Sequence, residues 1–390
     1  MEKLAQIGLL FTFIFAVSVI SKAVRIPYIL SLLLAGIIGK MIFHSEIMEQ
    51  IKILEIVALV LLFFFIGLDF SFERLLNTTQ KSLLPGIIDF VFNFLIIFLI
   101  SYLLTKDISF SIFISSALYP TGTAITVKLI ENYKRTPYTE TDIVLGILII
   151  EDLICIILVS LIAPTIAGEK IELKKITIGI ITIVLLMTLF FVFRKPVEKI
   201  FVKLPTIVNE EVLAFLVLGL VLAPSEILRK FNISEILLAF FLGCIVPEKS
   251  EIYTSMQRNL YGLKEFSAGL FFFLFTFGTD LHLNLNNITI IIILSVVSII
   301  SKIISIYIGT FLTTKSKATS SRTALSMIQR GEFSLVIGGI NPVVKPIISI
   351  IVIITSFIGV VLFAYAPQIT NYITRSSKKQ IKRKENLYRK

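Results

Sequence analysis

The sequence predicts an all-α membrane protein with about thirteen transmembrane helices, and three observations carry that reading. Hydrophobic residues fill 56% of the 390 positions, while Asp, Glu, Lys and Arg fill only 16%; an ordinary soluble domain is about 25% charged. The apolar residues come in continuous runs near the length needed to cross a bilayer as a helix. The runs also lack the strict alternation of barrel strands, and helices are the other way to satisfy a backbone in lipid.

In chain order the runs are Ala5–Ala23, Ile26–Phe43, Ile51–Phe70, Leu83–Leu104, Ile108–Ile130, Ile143–Ile166 and Ile176–Phe193. Then come Val212–Ile227, Ile233–Val246, Phe266–Leu281, Ile288–Leu312, Ala324–Ile340 and Ile347–Ile369. The first has no basic leader and no small-residue cleavage site, so it reads as a retained helix rather than a signal peptide. Connections after odd-numbered runs, with the C-terminal tail, hold about 25 of the 37 Lys and Arg. By the positive-inside rule the C-terminus is cytoplasmic and the N-terminus outside. Residues 373–390 read as a basic, solvated cytoplasmic tail beside anionic lipid.

Composition also excludes several functions. The net charge of +11 is spread over connections and tail rather than forming a nucleic-acid patch. Cys155 and Cys244 lie inside apolar runs and read as packing thiols. His44 and His282 sit at run ends, which gives no histidine metal site. With no phosphate-binding loop, neither ATP drive nor a cofactor is expected.

The two halves resemble each other. IPYILSLLLAGIIGK from Ile26 compares with ISEILLAFFLGCIVP from Ile233, and LLFFFIGLDF ending at Phe70 with FFLFTFGTDL ending at Leu281. TGTAIT from Thr121 lies opposite RGEFSL from Arg330. The offset is near 209 each time and spans an odd number of helices, which puts the copies in opposite topology. Inverted repeats of this kind mark transporters, with the site near the bilayer midplane.

Costly groups gather at one depth. Glu151 and Asp152 lie in the middle of the sixth run, Lys302 in the eleventh, and Arg330 and Glu332 in the twelfth. A charged residue at the bilayer centre costs roughly 2.5–3.5 kcal/mol on insertion scales, so such residues mark function or pairing. Tyr119-Pro120-Thr121-Gly122-Thr123 interrupts the fifth run and Gly331 the twelfth, predicting two crossed, discontinuous helices. Unwound backbone at that depth survives only inside protein or beside water.

Neighbouring helix residues point about 100° apart, so one of Glu151 and Asp152 faces a cavity and the other a partner, with Lys302 the natural counter-charge. A cavity-facing carboxylate holds a small cation or a proton, not both. Asp89 and Asn93, inside the fourth run, are candidates to line the cavity. Asp69 and Asp280 end their runs and read as structural.

At these residues the chain resembles the monovalent cation:proton antiporter superfamily, specifically its second family, which includes Na⁺/H⁺ antiporters and Kef-type potassium efflux proteins. The resemblance rests on RIPYILSLLLAGIIGK, LVLLFFFIGLDF, the Glu151-Asp152 pair, Lys302, and QRGEF from Gln329 to Phe333. It implies a core transport bundle (83–166 plus 288–372), a dimerisation scaffold (1–70 plus 208–284), a homodimer and alternating access. It also implies that Asp152 binds the ion, with Glu151 and Thr121 beside it, Lys302 as charge partner, and Thr123, Arg330 and Glu332 as supporting polar groups.

Glu151 stands where many sodium exchangers carry Asp, and Gly122 where some relatives carry Asp, so the sequence ranks neither the cation nor the stoichiometry. A second buried carboxylate and a lysine favour electrogenic exchange. The sequence shows no nucleotide-binding cytoplasmic domain, so gating of the Kef kind is not expected. The expected activity is exchange of a monovalent cation, Na⁺ ahead of Li⁺ and K⁺, for H⁺ at Asp152, in a multi-pass cell-membrane protein that is not an enzyme. Alternatives are a potassium-selective exchanger or channel and, remotely, an intramembrane aspartyl protease, whose GxGD sequence is approached only by FGTD at Phe277 to Asp280.

Overall fold

A computed structural model describes residues 2–23, 27–43, 46–69, 72–162, 210–224, 235–247, 250–279 and 285–388, with isolated positions 188, 196 and 199. The seventh run (176–193) and Asp280, His282 and His44 lie outside the described residues, apart from position 188. Among the described residues, six helices or helix pairs are long and apolar enough to cross a membrane, and a bent pair makes a seventh. The chain falls into two compact units, 1–74 with 156–281, and 75–155 with 282–390.

The first unit contains α1 (Glu2–Ala23), α2 (Tyr28–Ile42), α3 (Glu46–Asp69), α8 (Leu213–Leu222), α9 (Glu235–Ile245), α10 (Glu251–Asn259) and α11 (Tyr261–Phe277). Its helices meet through glycine, as helices do when lipid removes the hydrophobic drive and close backbone approach must hold them. A side chain at Gly67 of α3 would strike the Phe240 carbonyl of α9, and one at Gly243 of α9 would strike the Phe64 carbonyl of α3. Gly36 of α2 lies in the same way against Thr276 and Phe273 of α11. The Thr276 hydroxyl and the Lys40 ammonium add bonds to Leu33 O (2.9 Å) and Thr279 O (2.8 Å). Each pair joins one repeat motif to the other half's copy of the other motif. The tenth run starts earlier than its apolar residues imply: α10 precedes α11 across a 55° bend.

The second unit holds α4 (Phe72–Thr105), α5 (Ile108–Leu118), α6 (Thr123–Asn132), α7 (Thr139–Ile162) through Cys155, α12 (Leu285–Thr314), α13 (Lys317–Leu325), α14 (Glu332–Ile340) and α15 (Lys345–Tyr388). Two turns in it match at about 209 positions. Lys106 and Lys315 both end a helix at positive φ (57° and 53°). Asp107 and Ser316 then cap the next helix, accepting from Phe110 N (3.0 Å) and Thr319 N (3.2 Å). These are a left-handed helix stop and a side-chain N-cap in succession.

Two further boundaries depart from the sequence prediction. The twelfth run was predicted from Ala324, but its first half is α13, starting at Lys317. Hydroxyls made that stretch look polar, yet Ser320 and Thr323 bond back to Ser316 O (2.8 Å) and Thr319 O (2.9 Å) within the helix, which masks them. The tail predicted at 373–390 continues α15 to Tyr388; it lacks Gly and Pro and is rich in the helix formers Lys, Arg, Gln and Glu.

Candidate functional site

The site is built on two helix interruptions in the second unit. Residues 119–122 separate α5 from α6, and residues 326–331 separate α13 from α14. They touch at their glycines: a side chain on Gly331 would collide with the Gly122 Cα, and one on Gly122 would lie 2.9 Å from the Gly331 Cα. Gly122 N donates to Gln329 O at 2.8 Å. The Gln329 side chain spans the same junction, donating to Thr126 Oγ1 and Ser326 O. Each break therefore supplies backbone partners that the other lacks.

Cations collect at the carbonyl end of α5. The Tyr119 carbonyl accepts from Lys302 Nζ (3.0 Å), Arg330 Nη1 (2.9 Å) and Asn93 Nδ2 (3.2 Å). Arg330 also donates to Pro120 O (3.3 Å) and Ser298 O (2.9 Å). Helix C-termini carry partial negative charge, which favours this arrangement. Glu332, two residues from Arg330 in sequence, takes a different place. Its Oε1 accepts from Ala124 N (3.0 Å) in the first turn of α6, at the positive end of that helix.

Lys302 is fully buried and its three donors are all used. Besides Tyr119 O it bonds Asp89 Oδ2 at 2.7 Å and Glu151 Oε1 at 2.8 Å. The second oxygen of each carboxylate is also satisfied. Ser305 Oγ donates to Asp89 Oδ1 at 2.6 Å, and Thr121 N to Glu151 Oε2 at 2.5 Å. The Thr121 hydroxyl lies 3.3 Å from Glu151 Oε1 and 3.2 Å from Met327 O.

Asp152 points elsewhere. It is 4% exposed, and its only partner among the described residues is the Thr123 hydroxyl, 3.0 and 3.3 Å from its two oxygens. One hydrogen bond to a charged group is worth about 1.5–3 kcal/mol. Burying an ion costs several kcal/mol. As an anion Asp152 is therefore under-compensated.

The sequence-derived residues thus divide into two groups. Glu151, Thr121 and Lys302 meet in one closed cluster, with Arg330 joined through the Tyr119 carbonyl. Asp152, Thr123 and Glu332 gather at the start of α6. The hydroxyl beside Asp152 belongs to Thr123, whereas Thr121 is engaged by Glu151 and Met327. The sequence marks Asp89 only as a cavity-lining candidate; the structure pairs it with Lys302, and its signal is a carboxylate deep in an apolar run at the depth of a lysine. Ser305 and Ser301, which bonds Asn93 Oδ1 at 2.6 Å, gave no signal among so many serines.

Comparison with known proteins follows the same lines. The family described as "Sodium/hydrogen exchanger, transmembrane" matches residues 9–375. An ammonium/H⁺ antiporter subunit, AmhT, of Alkalihalophilus pseudofirmus is 27% identical over 95% of this chain and 94% of its own length. A K⁺/H⁺ antiporter subunit, KhtU, of Bacillus subtilis is 22% identical over 91% of each chain. The structure of the sodium proton antiporter MjNhaP1 from Methanocaldococcus jannaschii superposes with a TM-score of 0.68 at 17% identity, covering 95% of this chain and 99% of that one. The protein is a multi-pass membrane antiporter and belongs to the sodium/hydrogen exchanger family.

Proposed function

We propose that the protein exchanges a monovalent cation for protons by alternating access, and that the two compete for Asp152. The observation that carries this is a buried carboxylate with one hydroxyl partner, one residue from a carboxylate whose needs are met. A proton or a bare cation at Asp152 supplies the missing positive charge, and both cannot bind at once. Thr123 supplies a hydroxyl oxygen to the cation when Asp152 is ionised. Na⁺ is the first cation to test. The names of the relatives, which include K⁺ and ammonium, make those two the next.

The larger arrangement belongs to the same proposal. Thirteen helices in inverted repeats are supported by the crosswise motif packing, the matched turns at Lys106 and Lys315, and the meeting of Gly122 with Gly331. The unit bearing the site would move as the transport core, the other would form the homodimer scaffold, and the C-terminus would be cytoplasmic. Proteoliposomes holding a pH-sensitive dye test the reading. Addition of Na⁺, Li⁺, K⁺ or NH₄⁺ should drive proton movement through the wild-type protein. A cation flux with no proton movement would mean a channel, and no response to any of the four would end the proposal.

A further inference from the structure

We infer that Asp89 is a positioning residue that holds Lys302 as a fixed charge, so that exchange at Asp152 is electroneutral. This inference rests on the competition at Asp152 proposed above and reverses the electrogenic expectation of the sequence. In that expectation Lys302 had one counter-charge, and losing it would release the lysine proton as a second carried charge. The structure supplies two counter-charges on different helices, Asp89 of α4 at 2.7 Å and Glu151 of α7 at 2.8 Å. If a movement of α7 carries Glu151 away, Asp89 stays on the ammonium.

Asp89 is itself fixed, because Ser305, one turn beyond Lys302 on α12, donates to its other oxygen at 2.6 Å. Asp89 therefore grips α12 at two points and keeps Lys302 oriented without help from α7. The groups around the ammonium close the account. Tyr119 contributes its carbonyl at 3.0 Å and a ring whose centroid lies 5.2 Å away. Arg330 shares the Tyr119 carbonyl. Asp89 and Glu151 both bond Lys302, while Arg330 donates to backbone carbonyls beside them, so two anions and two cations lie fully buried in one cluster. This balanced set has no charge to surrender. Asp152 and Glu332 stand outside it at the start of α6. A cycle that changes only the occupant of Asp152 exchanges one monovalent cation for one proton.

The test is the initial antiport rate in proteoliposomes with a valinomycin-clamped potential, at fixed K⁺ gradients and with Na⁺ or Li⁺ as the driving cation. A cycle moving one net charge feels 100 mV as up to about a fifty-fold shift of its equilibrium. Wild-type protein should change less than about twofold between 0 and −100 mV. Asp89→Asn should lower the rate at least tenfold and leave a residual rate that responds to potential, because Lys302 then depends on Glu151 alone. Asp89→Glu should restore a potential-independent rate. A wild-type rate that rises steeply with potential overturns the inference while leaving cation–proton exchange intact. So does an Asp89→Asn protein with wild-type rate and no response to potential. If Asp89→Asn does not insert, the wild-type and Asp89→Glu measurements still decide. Absence of any cation-driven proton movement in wild type at zero potential is a separate result, and it removes the exchange proposal itself.

Discussion

Glu151 and Asp152 share a helix, a depth and a charge, yet their surroundings differ. Glu151 meets an ammonium, a backbone N–H and a hydroxyl; Asp152 meets one hydroxyl. The 100° turn between neighbours sends one carboxylate to the carbonyl end of α5 and the other to the start of α6. Adjacency in sequence thus separates two settings, a carboxylate that balances a buried lysine and one that meets a single hydroxyl. Under the proposed exchange, the carboxylate that works is the one left with a single hydroxyl partner.

The bluntest way to break this comparison is to neutralise each acid in turn. Asp152→Asn should reduce cation-driven proton flux at least a hundredfold while the protein still inserts, since asparagine neither carries a proton nor balances a cation. Glu151→Gln should stay within about tenfold of wild type, because Asp89 continues to hold Lys302. Equal losses in the two variants would erase the distinction.

Most of this site was legible in the sequence, and what was not has physical causes. Charged residues in apolar runs announce themselves through their cost, so Glu151, Asp152, Lys302, Arg330 and Glu332 stood out, as did the Pro120–Gly122 interruption. The run pattern likewise gave the all-helical membrane fold. Which carboxylate meets which partner depends on helix rotation, and no linear pattern records it. For that reason the sequence sets Thr121 beside the acidic pair and Thr123 among supporting groups, whereas the hydroxyl at Asp152 is that of Thr123. The Asp89–Lys302 bond has no sequence signature, because their meeting requires the packing of α4 on α12. The start of α13 was missed because its hydroxyls turn inward to their own helix.

Acidity sharpens the comparison further. If protons and cations compete at Asp152, lowering pH by one unit should raise the apparent cation KM by up to about tenfold without changing the maximum rate. A maximum rate that falls while KM stays fixed would point to a proton site remote from the cation. The smallest effects concern the threonines. Thr123→Ala should raise the cation KM about fivefold, the equivalent of roughly 1 kcal/mol for one hydrogen-bonding group. Thr121→Ala should raise it less than about twofold, since the Thr121 N–H on Glu151 survives the change. The reverse order would return the cation to the Glu151 side of α7.

The contact between Gly122 and Gly331 has a consequence for how such a sequence tolerates change. Each glycine is the other's nearest obstacle, and the obstructing atoms are backbone rather than a side chain that can swing aside. A larger residue at either position has no compensating substitution at the other, because glycine is already the smallest choice there. In a saturation library scored for growth under salt stress, both positions should be almost empty of tolerated variants, and no pairing of substitutions should refill them. Most packing contacts leave descendants a route through paired exchange of large and small residues. Here that route is closed, and the two halves of the gene are bound to one another at a position where neither can drift.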